Sequence, residues 1–208
     1  MSSDCCGSSL DTSALETRQR RVLAVVLVVN AATFAMMVFA AWHSGSSSLL
    51  SGALDNLGDA LTYALSFAVV GASAVAKARV ALFKGVLILL AALAVAAQIG
   101  WRLLHPDTPI FEVMGIAALI NLAANSLCLA LLHPYRHGDV NMSSVWECSR
   151  NDVFEGFAVI GAALAVGVFG SGWPDILIAT ALLVLFLRSA LRVLRRAWTE
   201  LGATPSPA

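Results

Sequence analysis

Asp55 and Asp59 stand four residues apart, as do Cys148 and Asp152, and both pairs fall inside long apolar runs. On a helix that spacing puts the two side chains of each pair on one face. An ionised carboxylate is costly in the hydrocarbon region of a bilayer unless a partner offsets it. Arg150 can neutralise one such group, but Asp55, Asp59, Asp152 and Glu155 outnumber it. Carboxylates and a thiol at that depth therefore point to a metal ion as the missing partner. Two helices, each offering one pair, supply four donors, which suits a tetrahedral divalent ion such as zinc. The thiolate draws the preference toward zinc and cadmium and away from magnesium and calcium. The plainer alternative is structural: a membrane Asp can pair with an Arg or hydrogen-bond a neighbouring helix.

Other polar residues have ordinary readings beside the functional ones. Glu155 extends the stripe of positions 148 and 152, and is a further ligand, a proton carrier or an ion-pair partner of Arg150. Glu147 lies off that stripe and reads as solvated or paired. Asn30, Asn121 and Asn125 are interhelical hydrogen-bonding groups by default. Cys128 is a small packing residue. Cys5 and Cys6 are adjacent in a polar tail, where they can capture a thiophilic ion, carry an acyl chain or do neither. His133, His137 and Asp139 form a short polar loop, read as solvated, with capture of an incoming metal as the lesser alternative.

The elements that must position these residues are membrane spans. The chain has 208 residues, 59% of them hydrophobic and 12% charged, with a mean hydropathy of +0.81. A soluble domain carries about 25% charged residues, so the composition predicts a polytopic membrane protein. A span needs about 20 mostly apolar residues, and six stretches qualify: 22–42, 49–74, 80–104, 111–132, 145–169 and 176–193. Gly45 with its serine run, His105-Pro106-Asp107 and the Gly170–Pro174 turn punctuate them. The fold class is therefore all-α with six transmembrane helices. Residues 1–20 are expected to form a cytoplasmic tail, 21–197 the membrane domain, and 198–208 a disordered end. No apolar run in the first twenty residues resembles a cleavable signal.

Basic residues set the orientation. Arg18, Arg20 and Arg21 precede the first span; Lys77, Arg79 and Lys84 flank the turn after the second; Arg136 follows the fourth; and Arg192, Arg195 and Arg196 end the sixth. Only Arg102 falls beside a loop on the other side, so the positive-inside rule places both termini in the cytoplasm. Trp42, Trp101 and Trp173 then gather at the outer interface as an aromatic belt. Asp59 lies about ten residues below the outer end of its span and Asp152 about eight above the inner end of its own, which at about 1.5 Å per residue puts both near mid-membrane.

At these residues the chain resembles the cation diffusion facilitator family, and the resemblance runs from about Arg21 to Leu201. Residues 45–60 are similar to that family's second span, where a His or Asp precedes an Asp by four positions. Residues 148–160 are similar to its fifth span, where the usual pair is His-x-x-x-Asp. The resemblance implies that Asp55, Asp59 and Asp152 are metal ligands of a transport site, with Cys148 standing where the family usually has His. It also implies a cytoplasmic domain after the sixth span, which this sequence does not reach, so a homodimer is expected to form through the spans.

The function expected is proton-coupled export of divalent transition-metal cations, zinc or cadmium first, by alternating access. Metal binding needs deprotonated ligands and so releases protons. Rocking of packed helices is the common pattern in such transporters, and Gly52, Gly58, Gly156 and Gly161 permit close packing or sliding. No permanently bound cofactor is expected; the partners are divalent metal ions, protons and the lipid bilayer, and the location is a cell membrane, the bacterial inner membrane by expectation. A formal net charge of zero and the lack of a basic cluster argue against nucleic acid. No catalytic triad, phosphate loop or zinc-protease helix suggests an enzyme. Two other classes remain open at this point, a proton-coupled exporter of small organic cations and a non-transporting metal-binding accessory protein.

Overall fold

The computed structural model describes residues 17–68, 74–137 and 140–202. Six helices carry the chain: α1 (Thr17–Ser44), α2 (Ser47–Ala68), α3 (Ala74–Leu104), α4 (Phe111–Leu132), α5 (Val140–Phe169) and α6 (Trp173–Gly202), with a short 3-10 turn at His133–Tyr135. The protein is an all-α polytopic membrane protein. Among the described residues, four segments are long and apolar enough by composition to cross a bilayer: Thr17–Ser44, Gly85–Leu104, Phe111–Tyr135 and Val145–Phe169. In α2 the hydropathy is lowered by Asp55, Asn56, Asp59 and its serines, most of which turn inward. Large apolar side chains such as Phe39, Leu104 and Val168 instead face outward, as helices bathed in lipid require.

The helix ends follow from local chemistry. Ser44 closes α1 by returning its hydroxyl to the Ala40 carbonyl (2.7 Å), and Gly45 adopts a left-handed φ of 72° that only glycine takes without strain. Ser46 then caps α2, its Oγ accepting from the Leu49 N–H (3.1 Å). Gly170, also left-handed at φ 59°, ends α5, and Pro174 sits in the first turn of α6, where its missing N–H does no harm. Two boundaries differ from the sequence expectation. Helix α1 already includes 17–20, and α6 runs on to Gly202, so residues 198–202 of the end expected to be disordered are helical. Their run of Trp, Thr, Glu and Leu contains no breaker, and the Thr199 hydroxyl bonds the Arg195 carbonyl one turn back.

Helices α1, α2, α4 and α5 form a bundle, with α1 against α2 and α4, and α5 against α4 and α2; α3 and α6 pair with each other and pack on the other side of α2. Three apolar clusters hold this arrangement. One, toward the ends of the helices away from the two termini, joins Met37 and Ala40 of α1, Leu49 and Ala53 of α2, Met114 and Ala118 of α4, and Val159 and Val166 of α5. A second, toward the ends on the side of the two termini, joins Leu23 and Val26, Tyr63, Cys128 and Leu132, and Val145 of the same four helices. The third fastens α3 to α6 through residues such as Ile88, Val95, Ala179 and Phe186, reaching Leu54 of α2. Between the first two clusters each bundle helix carries polar residues: Asn30 and Thr33, Asp55 through Asp59, Asn121 and Asn125, and Cys148 through Asp152.

Candidate metal-transport site

The polar layer collects the residues that the spacing argument singled out. Asp59 is 2% exposed, Asp152 5% and Cys148 4%, while Asp55 is half-buried. Asp55 of α2 and Asp152 of α5 share a side-chain hydrogen bond. Asp59 and Glu155 lie within electrostatic reach of Asp152. The two half-sites thus meet across the α2–α5 contact. Among the described residues, however, no three His, Cys, Asp or Glu side chains are gathered closely enough to hold an ion. The backbone brings the four into one layer, and their rotamers do not yet converge on one point.

Two neighbours went unassigned in the sequence. Tyr63, one turn below Asp59, donates its hydroxyl to Asp59 Oδ2 at 2.9 Å and lies within electrostatic reach of Cys148 and Asp152 as well. Its spacing of four from Asp59 was the available signal. Asn56 donates from Nδ2 to Oδ1 of Asn121 at 2.8 Å, tying α2 to α4 directly beside the acidic pair. This bears out the interhelical reading of Asn121. Asn30 instead donates to the Val26 carbonyl of its own helix (3.0 Å).

Several buried oxygens in this layer accept no hydrogen bond: Asn30 Oδ1, Asn56 Oδ1, Asn125 Oδ1 and Ser149 Oγ. Orphaned buried acceptors are uncommon, and a cluster of them marks an interior suited to water or a cation. Arg150 is turned away from the layer. It is exposed, with its guanidinium carbon 5.3 Å from the centroid of the Trp146 ring, a cation–π contact. The carboxylates are therefore not neutralised from that side.

The remaining candidates fall elsewhere. Cys128 is buried in the second apolar cluster, as a packing residue would be. His133 and His137 both lie against Arg136, which donates to His137 Nε2 (3.2 Å) and contacts His133 Nδ1 (3.1 Å). Gly156 is in tight contact with α4, since a Cβ there would stand 3.1 Å from Leu122 Cδ1, whereas Gly161 has nothing within 4 Å and so serves no close packing. Cys5, Cys6 and Asp139 lie outside the described residues.

A second polar centre lies where the α1–α2 turn meets the start of α6. Asp175, in the first turn of α6 and fully buried, accepts from Ser46 Oγ (2.6 Å), the Ser47 N–H (2.7 Å) and the Ser48 N–H (3.0 Å). One carboxylate thus satisfies the orphan donors at the N-terminus of α2 while sitting at that of α6, where the dipoles of both helices favour negative charge.

The family model for the cation efflux transmembrane domain matches residues 23–201, close to the 21–197 expected for the membrane domain. No match was found among curated proteins.

Proposed function

Because the chain belongs to the cation efflux, or cation diffusion facilitator, family of membrane transporters, we propose that its cargo is a divalent transition metal, zinc or cadmium first, exchanged for protons at Asp55, Asp59, Cys148 and Asp152. The observation that carries this reading is the Asp55–Asp152 hydrogen bond. It brings the two pairs together across α2 and α5, and because divalent ions bind deprotonated ligands, metal entry there releases protons. Rotation of the Asp59 and Cys148 side chains toward that pair completes a four-donor set of three carboxylates and a thiolate, which suits zinc or cadmium.

The apolar clusters above and below the polar layer block passage on either side, so the ion reaches the layer only when one cluster parts. Exchange then proceeds by alternating access. The metal enters from the cytoplasmic side as protons leave the carboxylates, the bundle rearranges, and protons returning from outside expel the metal. Tyr63 orients Asp59, and the Asn56–Asn121 bond fixes the face of α2 that bears both aspartates.

The test is ion flux in proteoliposomes carrying a pH gradient, comparing zinc, cadmium, cobalt and nickel. Wild type should move zinc or cadmium in proportion to the gradient, and Asp59→Ala and Asp152→Ala should abolish the flux. Cys148→His should shift the order of preference among the ions. Normal transport by both aspartate variants would overturn the assignment of the site. Flux indifferent to the pH gradient would overturn the proton coupling.

A further inference from the structure

The two apolar clusters that bound the polar layer are not alike. At the depth of the first, with Met37, Leu49, Met114 and Val159, no polar side-chain atom among the described residues is buried without a hydrogen bond. Ser47 Oγ and Arg102 Nε, which are, lie beyond it at the turns. The second cluster differs. Trp146 packs against it with its indole Nε1 buried and unbonded, and Ser149 Oγ, Asn125 Oδ1 and Asn30 Oδ1 are likewise buried without a partner. Asn30, Asn125 and Ser149 are at most 2% exposed.

Helix register orders these atoms by depth. Gly52 of α2 faces α1, with Met37 Cε 3.4 Å from the position a Cβ would take. Two turns on toward the termini, that antiparallel pairing sets Asn30 level with Asp59. The Asn56–Asn121 bond joins the parallel helices α2 and α4, and one turn on it sets Asn125 at the same level. Gly156 of α5 meets Leu122 of α4. Two turns from that contact Ser149 stands one turn past Asn125, and Trp146 follows almost a turn later. From the unbonded Asn56 Oδ1 to Trp146, polar atoms are thus spaced over about 16 Å of depth.

We propose that Trp146, Ser149, Asn125 and Asn30 line the path by which water enters the acidic layer, from the side of the termini. A buried polar atom without a partner is uncommon, and water is its usual complement. One such atom is a local matter; several in depth order on α1, α4 and α5, ending at the carboxylates, mark a direction. Their chemistry suits a chain of waters, since the amides accept, the hydroxyl does both and the indole N–H donates. As the second cluster parts, each side chain gains a partner that it lacks when the cluster is closed. At the first cluster parting gains nothing of the kind, because its side chains are apolar. The second is therefore the one that wets first. The path gives the transport reading its entrance for the metal ion, and the passage of water along it is tested apart from that reading.

The experiment uses the full chain in proteoliposomes, with Cys5, Cys6, Cys128 and Cys148 changed to Ser and the side of the termini located by protease cleavage of an N-terminal tag. Single cysteines are introduced as Asn125→Cys and Ser149→Cys on the path, and as Ala118→Cys and Val159→Cys in the first cluster. A charged, membrane-impermeant methanethiosulfonate, which reacts with thiols that water reaches, is added on the side of the termini. The two path cysteines should react at least tenfold faster than the two in the first cluster. Should Asn125→Cys fail to fold, Ser149→Cys decides, since it only exchanges a hydroxyl for a thiol. Equal rates at the two depths, or no reaction at a folded path variant, would overturn the proposal. Zinc flux by wild type is measured in parallel; its absence would count against the metal reading and leave the thiol result standing.

Discussion

Replacing Asp175 by Ala should be among the most destabilising single changes outside the transport site. The carboxylate accepts one hydroxyl and two backbone N–H groups at 2.6–3.0 Å. Its three donors, on Ser46, Ser47 and Ser48, are at most 1% exposed. Without the carboxylate, Ser46 Oγ can still turn to Ser48 Oγ, 3.3 Å away, but the two N–H groups have no substitute. Each of the two buried donors left unsatisfied costs about 1–3 kcal/mol, and loss of a helix cap about 1 kcal/mol, so the total should be roughly 3–7 kcal/mol. Asp175→Asn keeps one carbonyl acceptor and gives up the charge that faces two helix dipoles, and should lose about half as much. The assay is reversible unfolding in mixed micelles of increasing denaturing detergent, followed by circular dichroism, for wild type and both variants. A cost below about 1 kcal/mol for Asp175→Ala, or a larger cost for Asn than for Ala, would refute the reasoning that one carboxylate caps α2 from α6.

Tyr63→Phe removes the donor that orients Asp59 and leaves the packing of the ring. Since loss of a group that orients a metal ligand weakens binding about 10–100-fold, the zinc KM of proteoliposome flux should rise within that range; an unchanged KM would count against an orienting role. Gly156→Val drives a side chain into Leu122, with Cβ alone 3.1 Å from Leu122 Cδ1. Overpacking of this kind costs about 1–3 kcal/mol, so thermal unfolding should come earlier and flux should fall, Gly156 lying one turn from Asp152. In a background with Cys5 and Cys6 changed to Ser, zinc should slow modification of Cys148 by N-ethylmaleimide and leave that of Cys128 unaltered. Equal protection of both thiols, read by mass spectrometry, would detach Cys148 from the metal.

The sequence carried the fold further than it carried the site. Hydropathy and turn chemistry located all six helices, because an apolar run of span length has few other outcomes. The ends moved where helix formers continued past the apolar stretch, as at 198–202. Spacing of four singled out the pairs Asp55/Asp59 and Cys148/Asp152, since that periodicity is built into the helix. Partnerships across helices were harder to read. Nothing local to Asn56 indicates that it meets Asn121 rather than a neighbour on α5, because the choice depends on how α2 rotates against α4. Asp175 escaped notice for the same reason: in sequence it is an acidic residue in a first turn, and only the packing of α6 on α2 makes it the cap of another helix. Arg150 shows the converse. It lies two residues from both Cys148 and Asp152, yet its helical phase turns it outward to Trp146.

The placement of the acidic layer between two apolar clusters also has an electrical meaning. A transmembrane voltage falls across low-dielectric material, so it should drop over the two clusters, with the polar layer near the middle of the field. Moving one elementary charge through a full 100 mV is worth about 2.3 kcal/mol, and a divalent ion carried halfway gains or loses about the same amount, roughly a fiftyfold change in occupancy. If two protons leave the layer as one metal arrives, these charges cancel and binding becomes indifferent to voltage. The voltage sensitivity of transport thus counts the protons exchanged for each metal ion.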